Sequence, residues 1–165
     1  MRTEQKLLLA AGGLTALTWV SDVLTLLFRP LVYLNTHLHE FSHVLAAYLT
    51  GGTASFIHVY ANGSGVALVQ GGSALAVASS GYVGAALLGG LLIVMSRTQQ
   101  GAKRAIVLIA VVLGISMLGF VRGDLVGIVS GLVLFVALVL AAKFLKGRAL
   151  QFTGQFLGVQ QCVTS

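Results

Sequence analysis

Long apolar runs separated by short polar breaks constrain this chain more than any other feature. Of its 165 residues, 57% are hydrophobic and only 8% are charged, whereas about a quarter of the residues in soluble domains are charged. A run of about 20 apolar residues can cross the ~30 Å hydrocarbon core of a bilayer as a helix. The sequence therefore predicts an all-α polytopic membrane protein, with one membrane-embedded domain over residues 1–165.

The distribution of charge argues against a nucleic-acid partner. The net charge is +6, from ten Lys and Arg against four Asp and Glu. The basic residues lie almost entirely at the edges of the apolar runs, where such residues anchor membrane helices. The lipid bilayer is therefore the expected partner of these charges. Cys162 is the only cysteine, which excludes an intramolecular disulfide.

We expect five to six transmembrane helices and one β-hairpin. The first run lacks a small-residue cleavage site, so we interpret it as a retained helix and not as a signal peptide. Two glycines end the second helix, and the β-rich stretch 53–72 that follows contains Asn-Gly-Ser-Gly, a sequence typical of a hairpin turn. The predicted spans are residues 7–28, 31–50, 73–95, 105–121 and 125–142.

Two further features concern the later helices. In the third span, Gly81, Ala85 and Gly89 recur at four-residue spacing, which predicts close approach of a neighbouring helix. The last apolar segment, residues 150–163, is short for a span and stops at Ser165 without a helix cap. We therefore expect the chain to be truncated at its C-terminal end.

Residues that can carry chemistry are concentrated in HLHEFSH, residues 37–43, which contains the pattern H-E-x-x-H. His39 and His43 are four residues apart, so both imidazoles can reach one Zn²⁺ ion from one helix face. Glu40 flanks them and can serve as general base toward water that the metal activates. Ionisable residues inside a membrane segment cost about 2.5–3.5 kcal/mol each and usually mark a function. The sequence therefore predicts a zinc site with a catalytic Glu40.

The third metal ligand must lie elsewhere, because a catalytic zinc usually has three protein ligands. The candidates are Asp124, Asp22, His58 and a residue of a missing C-terminal part. We prefer Asp124, because the end of the second helix and the end of the fourth span lie on one side if the intervening helices all cross. The alternative for Asp124 is a helix cap paired with Arg122.

The alternative for the whole segment is a polar network between helices that binds no metal. His37 lies about 200° around the helix from His39, and we expect it to form hydrogen bonds and not to bind the metal.

The chain resembles the site-2 protease family of intramembrane zinc metalloproteases, in particular its small bacterial members. The resemblance rests on HEFSH at positions 39–43, on VLAAYLTGG directly after it, and on SGYVG at positions 80–84. It implies a three-helix core in which His39, His43 and Asp124 bind zinc and Glu40 is catalytic. This chain lacks the family's proline-containing motif that ends in Asp-Gly, since Leu125 follows Asp124.

We therefore expect a zinc endopeptidase of the bacterial cell membrane that cleaves membrane-protein or peptide substrates. The resemblance implies that the hairpin edge pairs with an unwound substrate segment, although the hairpin could equally fill the entrance to the site. A catalytically inactive scaffold or regulator is the first alternative, and a small metal or proton transporter is the second. The oligomeric state stays open. So does the orientation, because the resemblance places the hairpin in the cytoplasm and the positive-inside rule places it outside.

Overall fold

Helices dominate the computed structural model, which describes residues 2–18 and 20–163 together with all their side chains except those of Asp22 and Thr25. Within these residues, seven helices and one hairpin follow each other along the chain. The elements are α1 (Thr3–Thr18), α2 (Asp22–Leu27), α3 (Arg29–Leu49), β1 (Thr53–Val59), β2 (Gly65–Gln70), α4 (Ala74–Met95), α5 (Gln99–Gly119), α6 (Leu125–Phe144) and α7 (Gly147–Val163).

Three of the described helices, α4, α5 and α6, are long and apolar enough to cross a membrane. The prediction of five to six spans is therefore not confirmed. Helix α3 has 21 residues, but Asn35, Thr36, Glu40 and its three histidines lower its hydropathy. Helix α7 has 17 residues, and its hydropathy is lowered in the same way by four glutamines, at positions 151, 155, 160 and 161.

The first predicted span, residues 7–28, is wrong as one continuous helix. Helix α1 ends at Thr18, and a new helix begins after Ser21. The Ser21 side chain accepts a hydrogen bond from the Leu24 backbone N–H at 3.4 Å, as a helix N-cap does. At 16 residues, α1 alone is shorter than the ~20 residues that a span requires.

The hairpin forms where the sequence predicted it and lies along α3. Its inner residues Ile57 and Val59 are buried against Phe41 and Val44 of α3. The turn is tied to the beginning of α3, because the Tyr33 hydroxyl donates to the Ala61 carbonyl at 2.9 Å. The base of the hairpin is tied to the end of the same helix, where the Ser73 N–H donates to the Thr50 hydroxyl at 2.9 Å.

The outer edge of β1 is occupied by the connection between α5 and α6. The Ile57 N–H donates to the Phe120 carbonyl at 2.8 Å, and Ile57 forms a parallel bridge with Val121. The Val59 N–H donates to the Asp124 carboxylate at 2.7 Å. The outer edge of β1 is therefore already hydrogen-bonded at Ile57 and Val59.

Helix α4 packs against α3 on one side and α7 on another, and glycines make both contacts close. Gly89 faces Gly158 so closely that a Cβ on Gly158 would lie 2.8 Å from the Gly89 carbonyl oxygen. This confirms the close approach that small residues predicted for this helix. Helix α7 runs antiparallel to α4: Gly154 meets Ser96, and Cys162 meets Gly89 further back along α4.

We expect Gly158→Ala to destabilise the fold, because the added methyl group meets backbone atoms of α4 that cannot move aside alone. Overpacking of this kind costs about 1–3 kcal/mol. Thermal unfolding in detergent, followed by circular dichroism, measures the effect. Gly90→Ala is the matched control, since a Cβ on Gly90 has nothing within 4 Å. Equal melting temperatures for the two variants would contradict this account of the α4–α7 contact.

Candidate functional site

The two histidines of the H-E-x-x-H segment lie together on one face of α3. Their ring centres are 4.9 Å apart, with an angle of 75° between the ring planes. Adjacency of this kind follows from the four-residue spacing on a helix. The structure thus brings together the two nitrogen ligands that the sequence predicted.

Helix α4 fixes the orientation of the His43 ring. His43 Nδ1 lies 2.7 Å from the Val77 carbonyl oxygen and 3.1 Å from the Ser80 hydroxyl. A carbonyl oxygen only accepts hydrogen bonds, so Nδ1 is the donor in this contact and Nε2 is the ring nitrogen left for a metal. Metal-binding histidines are commonly oriented by such a bond from the other ring nitrogen. Sequence reasoning did not identify Val77, whose contribution is made by its backbone and leaves no signal in its side chain.

The His39 ring lies directly against α4 at Gly81. A Cβ on Gly81 would overlap the His39 imidazole, and a Cβ on Gly84 would overlap the Ser42 side chain. The ring centre of Tyr82 is 5.0 Å from that of His39, with the two planes perpendicular. Gly81 therefore creates the space in which His39 sits, and Gly84 does the same for Ser42.

Glu40 lies at the outer edge of β2. Only 7% of its surface is exposed, and its carboxyl group forms a hydrogen bond with the backbone of Ala67. A Cβ on Gly65 would lie 2.8 Å from Glu40 Cγ and 2.9 Å from Oε1. The Glu40 carboxyl group therefore reaches from α3 to the edge of β2 at Gly65 and Ala67.

Asp124 is held by three backbone N–H groups. It is the N-cap of α6, where it accepts from Val126 at 3.1 Å and from Gly127 at 3.0 Å, in addition to Val59 at 2.7 Å. These are the contacts of the helix cap that the sequence offered as the alternative for this residue. Arg122 donates to the Gly119 carbonyl oxygen at 3.1 Å.

The other histidines have separate surroundings. His37 is fully buried, and its Nε2 lies 3.2 Å from the Ser130 hydroxyl of α6, which confirms the hydrogen-bonding role predicted for it. The ring of His58 stacks on the ring of Phe56, with the two ring centres 4.3 Å apart.

A zinc ion fits the donor set of this site in part. His39 and His43 offer imidazole nitrogens on one helix face, and the protonated Nδ1 of His43 leaves its other nitrogen available for a metal. Within residues 2–18 and 20–163, however, no three His, Cys, Asp or Glu side chains are grouped so that they could hold a metal ion. The third ligand stays a prediction, and the side chain of Asp22 lies outside the described residues.

The structure thus combines three described helices that are long and apolar enough to cross a membrane with a helix that carries the H-E-x-x-H segment. A family model described as Peptidase M50B-like matches residues 9–165, so the chain belongs to this family, whose members are site-2 protease-like. The resemblance drawn from HEFSH and SGYVG is thereby confirmed. No curated protein and no solved structure matches the chain significantly.

We expect Asp124→Ala to destabilise the protein by about 2 kcal/mol or more, because it removes a helix cap and leaves the Val59 N–H without its acceptor. Asp124→Asn keeps one acceptor oxygen and should cost less. Chemical unfolding in detergent measures the difference.

The neighbouring Arg122→Ala is the control for this experiment, since exposed substitutions usually change stability by less than about 0.5 kcal/mol. Unchanged stability together with loss of bound zinc in Asp124→Ala would contradict the capping role and identify Asp124 as a ligand.

Proposed function

We propose that this protein is a multi-pass zinc endopeptidase of the bacterial cell membrane, which hydrolyses peptide bonds of membrane-protein substrates. The observation that carries the proposal is the juxtaposition on α3 of two adjacent imidazoles, one of them oriented by the Val77 carbonyl, with the buried carboxyl group of Glu40. Membership of a peptidase family supports the same activity.

His39 and His43 would hold the metal. When bound, a zinc ion supplies Lewis acidity, which acidifies water and polarises a carbonyl group. Asp124 is the third ligand that the sequence favours, but ligation would compete with the three N–H groups that its carboxylate already accepts. The other candidates are Asp22, His58 and a residue beyond Ser165.

Glu40 acts as general base and then as general acid in this proposal. Its carboxylate takes a proton from the attacking water, whose oxygen bonds to the carbonyl carbon of the scissile peptide. The protonated carboxyl group then gives the proton to the amide nitrogen as the C–N bond breaks. Burial beside β2 keeps bulk water away from this proton and positions the carboxyl group next to the strand edge.

The substrate would bind as a strand added to β2. A peptide bond inside a helix has its N–H and carbonyl groups hydrogen-bonded, so a membrane helix must unwind before hydrolysis. Strand addition supplies new partners for the unwound backbone. Of the two hairpin edges, that of β1 is already bonded to Phe120 and Asp124, whereas that of β2 is in contact with the catalytic Glu40, which bonds to Ala67 there.

A catalytically inactive scaffold or regulator is the second candidate. The observation that favours it is that the described side chains do not include a third His, Cys, Asp or Glu grouped with His39 and His43. Such a protein would use the same fold to hold a membrane partner without cleaving it.

Zinc analysis separates these candidates. We expect about one zinc per wild-type chain after purification in detergent, and none in His39→Ala or His43→Ala, because each loses a ligand. Glu40→Gln should keep its zinc and lose roughly 10²-fold or more of its proteolysis, measured by mass spectrometry on a panel of reconstituted single-span proteins. A wild-type protein that takes up no zinc on reconstitution would exclude the metalloprotease, and full activity of Glu40→Gln would exclude the catalytic role of that residue.

We also expect Gly65→Ala to lower the turnover number while zinc content is unchanged. The added methyl group crowds the Glu40 side chain, and a displacement of about 1 Å can cost about 10² in rate. Gly119→Ala is the control, because a Cβ there has nothing within 4 Å. Wild-type turnover in Gly65→Ala would contradict the position assigned to Glu40.

A further inference from the structure

A basic cavity lies where α5 begins and α6 ends, at the end of these helices away from the hairpin. Its volume is about 460 Å³, and three lysine side chains line it together with two glutamines. The lysines are Lys103 of α5, Lys143 in the last turn of α6, and Lys146 in the connection between α6 and α7. None of the described residues that line this cavity is acidic.

An apolar groove continues from this cavity along the same two helices. Its volume is about 320 Å³, and it shares Lys103, Ala142 and Lys143 with the basic cavity. Its other lining residues are apolar: Val107, Ala110 and Val111 of α5, and Phe135 and Val139 of α6.

The geometry of the groove follows the helical repeat. Along α5, Lys103, Val107 and Val111 are spaced by four residues, and along α6 the same spacing links Lys143 and Val139. Eight residues of helix correspond to about 12 Å of length. Both helices are candidate membrane spans, so the groove runs from the lysines into the apolar part of the molecule.

We propose that this surface binds one anionic phospholipid, with the phosphate between the three lysines and an acyl chain in the α5–α6 groove. Three ammonium groups without a lining carboxylate favour an anion. Basic pockets between transmembrane helices bind anionic lipid headgroups for this reason.

The apolar groove identifies the ligand as a lipid and not as free phosphate. Inorganic phosphate would use the basic cavity alone and gain nothing from Val107 or Val111. An amphiphile with a negative headgroup matches both cavities at once. The ammonium group of Lys143 lies 5.3 Å from the ring centre of Phe144.

Lipid titration by native mass spectrometry tests the proposal on the full chain in detergent. We expect one phosphatidylglycerol to bind at least about tenfold more tightly than phosphatidylcholine with the same acyl chains, since each lysine contributes to the attraction of a negative headgroup. Equal affinity for the two lipids would overturn the proposal. Displacement of phosphatidylglycerol by millimolar inorganic phosphate would also overturn it, because it would indicate a phosphate site.

Variants locate the site on the molecule. The triple variant Lys103→Gln, Lys143→Gln, Lys146→Gln should lose the preference for phosphatidylglycerol. A control variant that removes the same charge elsewhere should keep it: Arg2→Gln, Lys6→Gln, Arg122→Gln. Equal loss in both variants would overturn the assignment to this cavity, because it would show a general effect of net charge.

Val111→Trp tests the acyl-chain groove separately. The larger side chain fills the groove and leaves all three lysines in place, so phosphatidylglycerol should bind about tenfold more weakly while the triple-lysine site remains. Unchanged affinity in Val111→Trp would overturn the placement of the acyl chain. None of these variants touches His39, Glu40 or His43, so the outcome is independent of whether the protein is a protease.

Discussion

The close approach of α3 to α4 is the contact on which the candidate site depends. Gly81 leaves the space that the His39 ring occupies, and the Val77 carbonyl holds Nδ1 of His43. If α4 stood one side-chain layer further away, neither ring would have a fixed orientation. Helix α4 in turn is held by α7 through facing glycines. The orientation of the two histidine rings therefore depends on backbone packing between neighbouring helices as well as on the H-E-x-x-H segment.

Much of this arrangement could be predicted from the sequence, because it follows from local spacing. Two histidines four residues apart must share a helix face, and Asn-Gly-Ser-Gly between β-rich arms favours a hairpin. The glycine spacing indicated a close helix contact. What the sequence could not supply was the partner of each glycine, which depends on how the helices are arranged in space.

The errors have physical causes that can be named. The helix bounds were predicted from the apolar runs. Hydropathy shows which residues suit lipid, whereas the ends of a helix are set by its backbone hydrogen bonds and its caps. Helix α5 therefore begins at Gln99. That residue lies in the charged stretch between the third and fourth predicted spans, which was not expected to be helical. The Ser21 cap interrupts an apolar run that looked continuous. Asp124 is a different case: the structure shows its cap contacts, and its role as a metal ligand stays a prediction, because the same carboxylate in the same sequence context suits both roles.

The closure of the β1 edge also bears on how this protein behaves among copies of itself. A hairpin with two open edges can pair on both sides and so extend without limit from chain to chain, which is the route to fibrillar aggregation. Here the α5–α6 connection is bonded to one edge, and Glu40 lies against the other. At most one further strand can therefore pair with the hairpin. The same bonds that position the hairpin thus also prevent copies of the protein from pairing edge to edge into a polymer.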